Sequence, residues 1–442
     1  MQISVIGCGY LGAVHAASMA ELGHDVVGID VNEEKVALLN AGRAPFHEPG
    51  FTELLERNVQ AGRLRFSTDF ADVAGARVHF IGVGTPQQAG SYAADMSQVN
   101  GAVAGLLPHL APTEAGPVLV VGKSTVPVGT AAGIAEQVTA AGGVLVWNPE
   151  FLREGFAVQD TISPDRLVYG LSPDPEAARV GQEVLDEVYD NLITTQAIPR
   201  LLTDYATAEL VKVAANSFLA TKISFINAMA ELCEATGADV TQLAAAIGHD
   251  DRIGHKFLRA GVGFGGGCLP KDIRAFMARA EELGVDEALG FLREVDSIND
   301  RRRDHVITLA TDLLDGQPAG KRVAVLGASF KPDTDDMRNS PALDIAHRLS
   351  AAGAHVAVTD PQAGPILAAQ DHHSFTVADS AEDAITGADL VLLLTEWRQF
   401  RDLDPTAVKT LAGRPVVIDG RNVLDPARWR AAGWTYHGMG RP

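Results

Sequence analysis

Gly7, Gly9 and Gly12 stand at GxGxxG spacing directly behind an apolar run at residues 3–6. Few folds accommodate that spacing behind a strand. The first glycine makes a tight turn, the second lets backbone approach a pyrophosphate, and the third lets the following helix pack closely on the strand. Tyr10, Leu11, Ala16, Ala17 and Met19 then read as that helix, with its amino end toward the phosphates. Asp30 closes the next apolar run, at 26–29, where a carboxylate accepts both hydroxyls of a ribose and repels a 2′-phosphate. The pattern predicts an NAD site rather than an NADP site. Lys35, one helical turn on, suits either contact with the adenosine ribose or an exposed helix face.

Further apolar runs at 78–83, 118–121 and 144–147 alternate with amphipathic stretches, the signature of a parallel doubly wound sheet. Ligands lie beyond the carboxyl ends of such strands, which turns Thr85 and Thr125 toward the cofactor. From residue 205 the texture changes. Residues 205–235 contain no Pro or Gly and place Leu210, Val213, Ala214, Phe218 and Phe225 at helical spacings, which predicts one long helix. Strand-like runs then recur at 321–326, 356–360, 390–395 and 416–419. The fold class is therefore α/β, two Rossmann-like doubly wound domains joined by a long central helix. The boundaries fall at 1–200, 201–314 and 315–442, in keeping with a chain of 442 residues, too long for one core.

A formal charge of -20 disfavours nucleic acid and anionic membranes as partners, because phosphate backbones are held by basic surfaces. The stretch 101–121 is broken by Pro108, Pro112 and Pro117, which disqualifies it as a membrane span. Residues 1–6 already read as a strand, so no signal peptide is expected. Cys8, Cys233 and Cys268 lie far apart with no CxxC pair, so neither a metal site nor a disulfide framework is indicated. Reduced thiols point to the cytoplasm.

The richest chemistry lies at 263–272, Gly-Phe-Gly-Gly-Gly-Cys-Leu-Pro-Lys-Asp. Glycines let backbone lie against a ligand, and Pro270 suits the first turn of a helix. Cys268 then stands at a helix amino terminus, which with nearby Lys271 favours a thiolate nucleophile. Asp272, one turn on, is placed to orient a water or take a proton. Lys212 and Asn216, four residues apart on the long helix, offer a cation and an amide donor for a developing oxyanion. Glu150 and Glu154, at helical spacing in 148–155, are two candidates for a general base, and spacing does not choose between them.

Taken together, GxGYxG at 7–12, STVPVGT at 124–130, NPEFLREG at 148–155, the Lys212/Asn216 pair, GFGGGCLPKD at 263–272 and FKPDTDDMR at 330–338 resemble the UDP-glucose/GDP-mannose dehydrogenase family over nearly the whole chain. The resemblance implies oxidation of a sugar primary alcohol to a carboxylate with two NAD and no release of the aldehyde. It implies a thiohemiacetal and then a thioester on Cys268, with Lys212 and Asn216 on the oxyanion. Asp272, Thr125 and Glu150 would handle protons and the hydrolytic water. It places Glu154 beside the nicotinamide and Arg338 on NAD. Lys331 and Arg421 would hold the nucleotide sugar, Arg259 its diphosphate, and Phe151, Leu152, Phe257 and Gly265 would line the substrate site, with Arg252 reaching a neighbouring subunit. A homodimer or higher homo-oligomer is implied, as is supply of cell-surface polysaccharide. One departure is Gly267, where family members commonly carry Ser.

The 124–130, 148–155 and 252–266 segments look like the UDP-glucose branch. GDP-mannose or a UDP-N-acetylhexosamine is the alternative substrate. A two-electron alcohol dehydrogenase or epimerase would not need Cys268, and a non-enzymatic nucleotide-sugar or NAD sensor would not need a nucleophile.

Overall fold

The computed structural model describes residues 1–113, 116–370 and 374–442. These residues form two compact units, Met1–Ala215 with Arg274–Gly284, and Asn216–Ile273 with Val285–Pro442.

In the first unit, runs of four or five residues become strands, the central ones apolar and buried on both faces, as parallel sheets require. They are β1 (Gln2–Ile6), β2 (Asp25–Ile29), β3 (Leu64–Ser67), β4 (Val78–Ile81), β5 (Leu119–Gly122), β6 (Val144–Trp147), β7 (Leu167–Leu171) and β8 (Arg200–Asp204). The spatial order is β3-β2-β1-β4-β5-β6-β7-β8. The first six run parallel, and β7 reverses against β6 through Trp147 and Gly170 and carries β8 with it. Ile3 pairs with both Val26 and Val78, so β1 has neighbours on either side and the order switches at its carboxyl end. That switch is where such sheets bind ligands. Alternation along β1 sends Ile3 and Val5 into one core layer with Met19, Leu55 and Leu185. Ile6 faces the other layer with Val99, Ile134 and Trp147.

The second unit repeats the plan. Its strands β9 (Arg322–Leu326), β10 (His355–Thr359), β11 (Thr376–Val377), β12 (Leu390–Leu393), β13 (Val416–Asp419) and β14 (Thr435–Gly438) lie in the order β11-β10-β9-β12-β13-β14. Val323 and Val325 enter one layer with Ile345 and Leu349, while Ala324 and Leu326 enter the other with Trp397 and Trp429.

The long helix spans Tyr205–Thr236, 32 residues and roughly 48 Å. Asp204 caps its start by accepting the Thr207 N–H at 2.8 Å, and Gly237, at φ +75°, ends it. Val213 is buried, but Leu210, Phe218 and Phe225 lie on the exposed side. Among the described residues no helix is long and apolar enough to cross a membrane.

Candidate active site

The dinucleotide turn separates what the fold needs from what a ligand needs. A β-carbon on Gly12 would lie 1.8 Å from the Gly7 carbonyl oxygen, and one on Gly7, at φ +88°, would lie 2.4 Å from Val83. The fold itself demands both glycines. A β-carbon on Gly9 would meet no protein atom within 4 Å, so packing leaves the choice open there. Close approach of a pyrophosphate supplies the reason. Asp30 is buried at the end of β2, its Oδ2 accepting the Cys8 N–H at 2.9 Å and Oδ1 the Asn32 N–H at 3.0 Å. Lys35 reaches back to that carboxylate at 2.8 Å. Cys8 is no rival nucleophile, since burial, and then Asp30, push its thiol well above the ordinary range. These residues fit an NAD adenosine end.

The neighbouring strand ends are tied together. Thr85 donates its hydroxyl to the Thr125 carbonyl at 2.7 Å, and Ser124 donates to Val83 at 2.7 Å. Tyr10 donates to Glu48, whose carboxylate also accepts the N–H groups of Gly155 at 2.6 Å and Ala157 at 2.7 Å. The turn at 7–12 is thus joined to the 148–155 segment. Leu11 is half-buried beside it.

Residues 148–154 form no helix, the first helical turn beyond them being Ala157–Ile162. Glu150 and Glu154 are therefore not one helical turn apart, contrary to their spacing, because Pro149 disfavours helix in the residue before it and Gly155 adopts φ +81°. Glu150 Oε1 lies 2.8 Å from Nζ of buried Lys212, and its Oε2 accepts the Leu152 N–H at 2.6 Å. The Phe151 ring lies under Lys212 at 5.9 Å and under Arg166 at 3.9 Å. Glu154 is half-buried.

In the second unit Cys268 is exposed and immediately precedes the helix Leu269–Glu282. Asp272 donates its N–H to the Cys268 carbonyl at 2.9 Å and is itself buried. Its Oδ2 accepts from Asn216 at 2.6 Å and its Oδ1 from Lys271 at 2.6 Å. Lys271 thus carries its charge to the carboxylate. The glycine loop lies against residues 338–339, where Gly266 donates to the Arg338 carbonyl at 2.8 Å and a β-carbon on Gly265 would sit 2.3 Å from the Asn339 carbonyl oxygen. The Arg338 guanidinium, held by Asp336 at 2.7 Å, lies where a Gly267 β-carbon would project.

The residues expected on the nucleotide sugar are more scattered. Arg421 donates to the carbonyls of Leu394 at 2.7 Å, Gly263 at 2.9 Å and Phe330 at 3.2 Å, so it braces the glycine loop, and burial lowers its basicity. Arg259 is 67% exposed and 3.7 Å from Glu396. Arg252 extends into solvent on Asp250, Phe257 holds φ +63° with its side chain exposed, and Lys331 stands over the Phe330 ring at 5.4 Å.

The second sheet repeats the cofactor geometry in form only. Gly327, at φ +114°, follows β9 as Gly7 follows β1, and Asp360 follows β10 as Asp30 follows β2. Asp360, however, accepts from the N–H groups of Ala328, Ser329, Gln362 and Ala363, the Ser329 hydroxyl and the Trp397 indole. A carboxylate so saturated has no capacity left for ribose hydroxyls.

Sequence reasoning missed Glu48 and the buried Lys123, whose partners lie far away along the chain. It also missed Glu209, which caps the helix Thr130–Ala140 by accepting from Gly129 and Ala131 at 2.7 Å each. An acidic residue inside 47–50, His-Glu-Pro-Gly, was the one local hint for Glu48.

Two Rossmann-like sheets and a turn that fits NAD define a nucleotide-linked dehydrogenase. Residues 1–193 match the NAD binding domain of the UDP-glucose/GDP-mannose dehydrogenase family, 206–301 its central domain and 324–426 its UDP binding domain. The chain belongs to that family, and is an NAD-dependent nucleotide-sugar 6-dehydrogenase. It is 41% identical over 447 residues to a UDP-glucose 6-dehydrogenase of Rhizobium meliloti, covering 100% of both chains. It is 39% identical to UDP-glucose 6-dehydrogenase TuaD of Bacillus subtilis, over 100% of this chain and 93% of that one. A UDP-glucose dehydrogenase structure from Pyrobaculum islandicum superposes with a TM-score of 0.88 at 38% identity, covering 100% of this chain and 98% of that one.

Proposed function

We propose that this enzyme is a cytoplasmic UDP-glucose 6-dehydrogenase that oxidises C6 of UDP-glucose to the carboxylate of UDP-glucuronate. The observation that carries the reading is full-length identity near 40% to relatives of that name, joined to an exposed thiol at a helix start. Gly7, Gly9, Gly12, Tyr10, Leu11 and Asp30 would hold NAD, which would supply the hydride acceptor for each of two oxidations. Between them Cys268 adds through sulfur to the aldehyde carbon, giving a thiohemiacetal whose oxidation leaves an acyl thioester. Water then cleaves the C–S bond and returns the proton to sulfur. Lys212 and Asn216 steady the oxyanion, while Asp272, Glu150 and Thr125 orient water and move protons. Glu154 and Arg338 complete the cofactor contacts, and Lys331, Arg259 and Arg421 the nucleotide-sugar side.

Phe218, Phe225 and Leu232 recur every seven residues on the long helix and are 66%, 48% and 57% exposed. A stripe of that kind suits a second copy of the chain, and we read the enzyme as a homodimer through it. The test of substrate is a panel of UDP-glucose, GDP-mannose and UDP-N-acetylhexosamines followed by NADH absorbance. Turnover of UDP-glucose above the others is expected; turnover of another sugar without UDP-glucose overturns the assignment.

A further inference from the structure

Lys123, directly behind β5, is only 7% exposed. An ammonium is rarely buried unless it is partnered. Its Nζ donates to Asn148 Oδ1 at 2.9 Å and lies 3.5 Å from both the Asn148 carbonyl and the Tyr189 hydroxyl, with the Phe80 ring 5.7 Å away. Tyr189 donates to the same Oδ1 at 2.9 Å, and Asn148 Nδ2 donates to the Val168 carbonyl at 3.0 Å. Asn148 is thereby held from three sides. Two residues later Glu150 meets Lys212 at 2.8 Å.

The charged and titratable groups facing Lys123 come from four elements. They are Glu150 beyond β6, Lys212 on the long helix, Tyr189 beyond the helix Pro175–Val188, and His15 on the helix Tyr10–Glu21. Buried His15 stays neutral over the physiological range, because burial and then Lys123 lower its basicity. Burial lowers Lys123 itself to about 8, with Glu150 opposing the shift and Lys212 adding to it. A methionine would fill much the same volume with no charge to desolvate. Packing alone therefore gives no reason for a lysine here.

We propose that Lys123 is a positioning residue for the reaction assigned above, pinning Asn148 so that Glu150 reaches Lys212, and holding a charge beside this pair. Resting on that reading, the role is electrostatic as well as steric. The Lys123 ammonium lies within electrostatic reach of both members of the pair.

The test compares wild type, Lys123→Met and Tyr189→Phe as full-length enzymes. The first readout needs no turnover. Free lysine titrates near 10.4, so between pH 8 and 10.5 the unfolded chain binds the proton that folded Lys123 releases, and wild-type stability rises with pH relative to Lys123→Met. Lys123→Met should have the higher urea midpoint at pH 7, and the gap should close by pH 10.5. A gap that stays constant overturns the buried charge and with it the proposal.

The second readout is the pH profile of kcat with UDP-glucose. Lys123→Met should lower kcat roughly tenfold and move the acidic limb up by roughly half a unit to one unit, with KM for NAD unchanged. Tyr189→Phe, which loosens Asn148 but keeps the charge, should lower kcat several-fold and leave the limb in place. A Lys123→Met profile with wild-type kcat and an unmoved limb overturns the proposal. Absence of wild-type turnover on UDP-glucose overturns the functional reading instead, while the stability gap still decides whether Lys123 is a buried, titrating charge.

Discussion

Asn216 donates its side-chain amide to Oδ2 of Asp272 at 2.6 Å, joining residues 56 positions apart in sequence. A buried carboxylate fixed by an amide on one oxygen and by Lys271 on the other can hold a water or a proton without rearranging. Asp272→Asn should lower kcat by roughly 10²–10⁴-fold while leaving the circular dichroism spectrum of the folded enzyme near wild type. A kcat within threefold of wild type would remove Asp272 from the chemistry. Asn216→Ala leaves the carboxylate short of a donor and should cost about 1–3 kcal/mol in urea unfolding.

In the proposed enzyme Asp30 sets cofactor choice. Asp30→Ala should raise KM for NAD roughly tenfold and increase the NADP-to-NAD ratio of kcat/KM, because the carboxylate both accepts ribose hydroxyls and repels a 2′-phosphate. An unchanged ratio would show that discrimination lies elsewhere.

Two glycines in one loop should respond differently. A methyl group at Gly265 collides with the Asn339 carbonyl, which is backbone and cannot swing aside. Gly265→Ala should cost about 1–3 kcal/mol. At Gly267 the obstacle is the end of the Arg338 side chain, so Gly267→Ser should change stability by less than about 0.5 kcal/mol as the guanidinium moves. Equal losses in chemical denaturation would contradict this reading of the loop.

The exposed stripe on Tyr205–Thr236 predicts the assembly. Phe225→Glu should shift the sedimentation profile from dimer to monomer, since a carboxylate in an apolar interface carries a desolvation cost with no partner. An unchanged dimer would place the interface on another surface.

Much of this was readable in the chain. The GxGxxG turn, Asp30 and the Gly- and Pro-free stretch from 205 report local geometry, and the structure places a strand, a buried carboxylate at the next strand end and a helix there. The runs at β3, β7, β8, β11 and β14 escaped notice because they lie toward the sheet edges, are short or lack continuous burial. β11 is two residues long, and Leu201 and Leu202 in β8 are 50% and 45% exposed. Glu150 and Glu154 misled by spacing, because an i,i+4 relation means nothing without a helix. Lys123, Glu48 and Asp360 were invisible as partnered or saturated groups, since each has partners 25 or more residues away in sequence.

The central claim is that Cys268 holds the aldehyde as a thiohemiacetal between two oxidations and the acyl group as a thioester after the second. Its most direct test is NADH yield per UDP-glucose, measured with wild type and Cys268→Ala, alongside intact-protein mass spectrometry of an enzyme slowed at hydrolysis by Asp272→Asn. Two NADH per sugar, no full oxidation in Cys268→Ala and a UDP-glucuronyl adduct on Cys268 are predicted. One NADH per sugar in the wild type, or full activity in Cys268→Ala, would contradict the account.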